Sequence, residues 1–280
     1  ILFGGAEPSI RSPMLPANLD MRYNYVTKAL KWFRLSPYYE GKQYANKTML
    51  EWKVGANSLV RWNVFEHNFR EERSDQSGQA IAFNIRLPYP QTGAWARTEG
   101  IDFIDNIVRR SHSAWSILGS DFNYGNTGLT QRITIRNNLF HDIGKTWDYR
   151  EGRDYATTFG RLIGGGRDIV VESNTYHSSE KVDSPAGPAS GLIFDGVESP
   201  KTVNLTYRNN ALPGGPFLFK GDSLAGGGAT LNAKTAGIVR VTGNLFAGVP
   251  PGHFQACRSE GSDTRTCAPN WFISNREWDE

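Results

Sequence analysis

The chain has 280 residues, 31 Lys+Arg against 28 Asp+Glu and 39% hydrophobic residues, with a mean hydropathy of −0.48. This is an ordinary soluble profile, and no apolar run is long enough to cross a bilayer, which excludes an integral membrane span. Charge is uneven: residues 1–140 carry 17 basic and 12 acidic side chains, the remainder 14 and 16. A basic first half favours an acidic partner, but the charges are not clustered as nucleic-acid binding requires.

In chain order, "ILFGG" at the start reads as the inside of a strand, and the chain is expected to be cut from a longer protein. Short apolar segments then recur: "MRYNYV" (21–26), "VRWNVF" (60–65), "FIDNIV" (103–108), "IRNNLF" (135–140), "VESNTY" (171–176), "YRNNAL" (207–212) and "VTGNLF" (241–246). Each places an Asn at the same point: Asn24, Asn63, Asn106, Asn138, Asn174, Asn210 and Asn244, spaced by 39, 43, 32, 36, 36 and 34 residues. A weaker element precedes each: "MLEWK" (49–53), "IAFNIR" (81–86), "WSILGSD" (115–121), "GRLIGG" (160–165), "GLIFDG" (191–196) and "FLFKGD" (217–222). The segments are short, β-branched and aromatic, without sustained helical periodicity.

Repeats of this length cannot bury their apolar sides alone and must stack. Three strands per repeat are too few for a propeller blade. A parallel coil satisfies the pattern, with neighbouring turns about 4.8 Å apart. Asn at a corner tolerates left-handed backbone, and stacked amides donate and accept along a ladder. The reading is an all-β, right-handed single-stranded parallel β-helix of about seven coils, one domain over 1–280, with an irregular tail over 249–280. Cys257 and Cys267 lie in that tail, as a loop disulfide or as two free thiols; they do not have metal-site spacing.

The ordering of these segments resembles the pectate-lyase-like superfamily of right-handed β-helices. "ILFGGAEPSI", "FEHNF" and "RNNLFHDI" are similar to a group of bacterial β-helix repeat proteins. The resemblance implies a polysaccharide cleft over the first-strand sheet and a secreted, periplasmic or cell-surface location. It specifies architecture well and chemistry poorly.

Function on a stacked coil sits in loops and outward side chains. Long loops at 27–48, 67–80, 87–100, 119–132 and 142–158 are expected to wall the first-strand sheet. They carry aromatic side chains, among them Tyr89, Trp95, Trp147 and Tyr149. Alternation puts Leu50, Trp52, Phe83, Ile85, Leu192, Phe194 and Phe219 inward. The outward face then presents Lys53, Asn84, Arg86, Asp121, Arg161, Asp195 and Lys220. Lys53, Arg86 and Arg161 are candidates to act as base or to bind acidic groups, as a uronate lyase requires. Asp121 and Asp195 are the candidate acids, two coils or roughly 9.6 Å apart, near the upper end of the spacing of an inverting glycosidase pair. Asn84, Trp95, Trp147, Tyr149 and Lys220 are candidate substrate-binding residues. No metal ligand set is assigned. Calcium is a weak expectation, because it needs clustered oxygens.

A second column lies three residues beyond each ladder Asn and contains Glu66, Arg109, His141 and His177. It suits acid–base work or, with Asp142, a transition metal. Walker, GxSxG and HExxH motifs are absent. The expected function is recognition of a polysaccharide, acidic in the lyase reading, and its cleavage if the protein is an enzyme. The competing class is a non-catalytic structural shaft or adhesin. Neither nucleic acid nor a membrane is an expected partner.

Overall fold

The computed structural model describes residues 1–4, 15–70, 78–86, 95–121, 127–149, 157–178, 190–195, 200–213, 218–221, 226–249, 251–274 and 277–278. They wind into a right-handed parallel β-helix of three sheets, with seven, eight and eight strands. The first sheet stacks Leu50–Trp52, Gln79–Phe83, Ser113–Leu118, Thr158–Ile163, Ser190–Asp195 and Phe219–Gly221 on Leu2–Phe3. The second contains seven-residue strands such as Gly55–Arg61, Thr98–Ile104 and Thr130–Arg136. The third follows each ladder Asn, as in Tyr25–Thr27, Val64–Asn68, Ile107–Ser111, Leu139–Ile143 and Thr175–Ser178.

Alternation decides what enters the cylinder. Leu50, Trp52, Phe83, Ile85, Leu192, Phe194 and Phe219 are each at most 2% exposed. Trp52 stacks on Phe83 at 5.3 Å and Phe140 on Tyr176 at 4.7 Å, so aromatic rings repeat along the axis with the coils. One apolar cluster runs from Met49 to Phe254.

The ladder forms as expected. Asn106 donates its backbone N–H to Asn138 Oδ1 at 2.9 Å, and its Nδ2 reaches the same oxygen and the Val60 and Ile104 carbonyls. The same scheme links Asn24, Asn63, Asn106, Asn138, Asn174, Asn210 and Asn244. Two expectations need correction. The left-handed residue at the corner is not the ladder Asn but the residue before it. Tyr23, Trp62, Asp105, Asn137, Ser173, Asn209 and Gly243 have φ between 52° and 68°. The bend therefore precedes the amide, which is left in ordinary backbone and free to bond along the column. The region 249–280 is also more regular than expected. Thr264–Thr266 and Trp271–Ile273 pair with the seventh coil, and Asn270 extends the ladder by accepting from Asn244. Cys257 and Cys267 are bridged within this segment.

A further left-handed column runs through Asn18, Asn57, Gly100, Arg132, Asp168, Asn204 and Gly237, early in each second-sheet strand. One helix, Gly227–Lys234, enters between the first and second sheets of the seventh coil, with Thr230 and Leu231 fully buried.

Candidate functional site

Parallel register aligns Glu51, Ala82, Ser116, Arg161, Ile193 and Lys220 in one outward row across the first sheet. Two residues further on, Leu118, Ile163 and Asp195 form the next row. The centre of this face is small or apolar: Ala82, Ser116 and Leu118 are buried. Charge gathers on either side of it.

On the N-terminal side, Glu51 is 3% exposed and accepts from Asn84 Nδ2 at 3.1 Å and from the Thr48 hydroxyl at 3.2 Å. Lys47 Nζ lies 3.0 Å from it. Lys53 is half-buried beside this group. Burial, and then the positive charges of Lys47 and Arg86, hold its amine below the usual lysine range, against the pull of Glu51. Lys53, Asn84 and Arg86 thus meet as the sequence suggested, joined by Lys47 and Glu51.

On the other side Arg161 Nε donates to Asp195 Oδ2, so the expected cation and acid neutralise each other. Lys220 occupies the same row as Arg161, half-buried. Asp121 departs from its expected place. It is 2% exposed and lies three residues beyond Leu118, the register equivalent of Asp195. The two acids therefore do not face each other in one column.

The loop aromatics also divide. Trp95 packs against Val54, Ile85 and Ala96 at the end of the first sheet. Trp147 and Tyr149 do not wall the first sheet. The Trp147 and Tyr149 backbones pair with Arg70, and the Trp147 ring sits 5.8 Å from Phe33 and 5.6 Å from His67, over the third sheet. The Arg34 guanidinium covers Tyr149 at 4.3 Å. Tyr89 and the loop centres at 87–94, 122–126 and 150–156 lie outside the described residues.

The second column is assembled as expected. Glu66 pairs in register with Thr27 and Arg109, and Arg109 with His141. The His141 and His177 rings are exposed and stack at 4.7 Å, 13° from parallel. Glu66, 1% exposed, is the hub. It accepts from the Tyr25 hydroxyl, lies 3.0 Å from Arg109 Nε and 2.7 Å from Arg110 Nη1, and faces His67 Nε2 at 3.7 Å. Burial alone would raise its pKa; the hydrogen bonds from Tyr25 and Arg109 and the nearby positive charges outweigh it and hold the carboxyl below its ordinary range.

His67, Arg110 and Lys28 were not singled out from sequence. His67, Arg110 and Asp142 have φ of 67°, 54° and 54° on three successive coils. A left-handed residue interrupts alternation, so Arg109 and Arg110, though adjacent, both reach the Glu66 carboxylate. Lys28 lies against the same edge. Its Nζ donates to Asn68 Oδ1 at 2.6 Å and to the Lys47 carbonyl, and burial lowers its pKa to about 7.

Among the described residues, no group of three or more His, Cys, Asp or Glu side chains could hold a metal ion. No described helix is long and apolar enough to cross a membrane. Comparison with family models, curated proteins and solved structures returned no match to this chain.

Proposed function

We propose that this β-helix binds an anionic polysaccharide along the outer face of its first sheet, as in the pectate-lyase-like superfamily it resembles. The observation that carries the reading is the gathering of Lys47 and Arg86 near Lys53, beside one buried carboxylate, Glu51. Burial, and after it the charges of Lys47 and Arg86, already destabilises the Lys53 ammonium, and an anionic ligand would offset it. The Arg161 and Lys220 row, across the small side chains of Ala82 and Ser116, offers a second contact for a linear chain. Coil spacing places the Leu50–Trp52 and Thr158–Ile163 strands about 14 Å apart, three steps of roughly 4.8 Å. The Cys257–Cys267 bridge supports an oxidising, extracytoplasmic setting.

Lys53 is the candidate base if the bound uronate is cleaved, because a lysine with a lowered pKa supplies more neutral amine near neutrality. Two-carboxylate hydrolysis is the weaker branch, given the burial of Asp121 and the ion pairing of Asp195. The reading is tested by titrating acidic and neutral polysaccharides and assaying products. Acidic chains should bind with salt-sensitive affinity, and Lys53→Ala with Arg86→Ala should weaken binding about tenfold or more. Unsaturated products would assign elimination to Lys53. Absence of binding to any acidic polysaccharide would reject the reading.

A further inference from the structure

The outer face of the third sheet holds a different arrangement of groups. Thr27 is exposed, and its Oγ1 lies 3.1 Å from His67 Nδ1. The other ring nitrogen, Nε2, faces Glu66 Oε1 at 3.7 Å. A hydroxyl within hydrogen-bond reach of an imidazole thus stands beside a buried carboxylate that faces the ring's other nitrogen at ion-pair distance, an order of nucleophile, base and electrostatic partner. They come from two adjacent strands, Tyr25–Thr27 and Val64–Asn68, in direct register. Glu66 is held from behind by Tyr25, Arg109 and Arg110 and has little freedom to turn away. Trp147 gives the site an apolar wall, its ring 5.6 Å from that of His67.

We propose that Thr27, His67 and Glu66 form a hydrolytic site for carboxylic esters, with Thr27 as nucleophile, His67 as general base and Glu66 as the residue that positions His67. The inference goes beyond polysaccharide binding on the first sheet and does not rest on it. With the proton of the neutral ring on Nε2, Nδ1 accepts the Thr27 hydroxyl proton as Oγ1 attacks the ester carbonyl carbon. The imidazolium returns that proton to the alcohol oxygen as the carbonyl C–O bond breaks, leaving an acyl-threonine. Water then gives a proton to Nδ1 and its oxygen to the acyl carbon. The Thr27 oxygen departs, regains the proton, and the carboxylic acid is released. Arg109 and Arg110 are paired with the Glu66 carboxylate, and their part is to fix that carboxylate beside His67.

Burial leads in keeping His67 below its ordinary pKa, joined by the charges of Arg110 and Arg109 and opposed by Glu66 and Asp142. The shift favours the neutral ring, the form a base must have. Lys28, adjacent in sequence, is the competing nucleophile, but its amine is engaged by Asn68 and the Lys47 carbonyl beneath Phe69.

The test uses p-nitrophenyl acetate with the intact chain, reading p-nitrophenol release and the acetylated residue by peptide mass. Expected are turnover above the buffer rate, an acetyl group on Thr27, activity retained in Thr27→Ser and Lys28→Arg, and a loss of about a hundredfold in Thr27→Ala and His67→Gln. The rate should fall as pH drops through a pKa below the ordinary histidine value, and Glu66→Gln should move that fall to still lower pH. Circular dichroism checks that each variant is folded. No turnover by the wild type, acetylation of Lys28 instead of Thr27, or full activity in Thr27→Ala would each overturn the proposal.

Discussion

Replacing Asn138 by Ala tests the ladder at its centre. Asn138 is 2% exposed. Its Oδ1 accepts from the backbone N–H and the Nδ2 of Asn106, and its own Nδ2 donates to the Phe103 carbonyl and Asn174 Oδ1. Alanine removes all four hydrogen bonds. At about 1 kcal/mol net for each, the loss is about 4 kcal/mol. The amide N–H of Asn106 has no other acceptor in the scheme, and an orphaned buried donor alone costs about 1–3 kcal/mol. Asn24 is exposed, and its Nδ2 donates to Asn63 Oδ1 and the Arg22 carbonyl. Asn24→Ala removes two hydrogen bonds and should therefore cost about 2 kcal/mol at most. Urea unfolding followed by circular dichroism measures both, and hydrogen exchange at the Asn106 amide gives a local readout. Equal losses in the two variants, or an Asn138→Ala loss below about 1.5 kcal/mol, would refute the view that the buried amides hold the coils together.

Three further outcomes follow from the geometry. Glu66 titrates below the ordinary carboxylate value in the folded state, so its contribution is present above the unfolded pKa and is lost as pH falls through the folded one. Acid melts of the wild type should steepen below about pH 4.5, the ordinary glutamate value, and Glu66→Gln should remove that part of the slope. The Cys257–Cys267 bridge closes a loop with a sequence separation of 10. Chain entropy predicts a loss of about 2.7 kcal/mol in the double Ser variant, with exchange rising first at Thr264–Thr266 and Trp271–Ile273. Ser173 has φ of 55°; Ser173→Gly should raise the thermal midpoint, and Ser173→Val should cost about 1–2 kcal/mol, with equal midpoints counting against strain at this corner.

Much of the architecture was legible because a parallel coil repeats its constraints. Strand alternation placed Trp52 and Phe83 in the core, and the spaced asparagines marked one edge of the cylinder. Asn270 escaped notice because it lies only 26 residues after Asn244, although "CAPNWF" fits the same pattern. The helix at Gly227–Lys234 opens on glycines, which oppose helix formation; burial of Leu231 against the last coils overrides that preference. Alternation extended beyond Leu118 points Asp121 outward, but the strand ends before Gly119 and the alternation ends with it. A loop's sequence does not say which of two adjoining sheets it folds onto, so the place of Trp147 over the third sheet is visible only in the structure.

The Glu66 cluster was only half legible, for a reason that belongs to the fold. Its members are remote in sequence: Tyr25 and Arg109 lie 41 and 43 residues from Glu66. No local motif can contain Tyr25, Glu66 and Arg109, since these three come from different turns of the coil. A column read at one residue per repeat recovers Glu66 and Arg109, because parallel register keeps equivalent positions together. It cannot recover His67 and Arg110, which strict alternation would turn inward. The left-handed backbone at 67 and 110 breaks that alternation and brings two residues per coil to the outer face. Backbone of this kind costs about 1–2 kcal/mol for a side-chain-bearing residue. Along the two structural columns glycine, asparagine, aspartate or serine fills most of these positions; here Asp142 follows that pattern and His67 and Arg110 depart from it. His67 and Arg110, in left-handed backbone on consecutive coils and both against the buried Glu66 carboxylate, show the fold spending backbone strain to gather charge on this stretch of the third sheet.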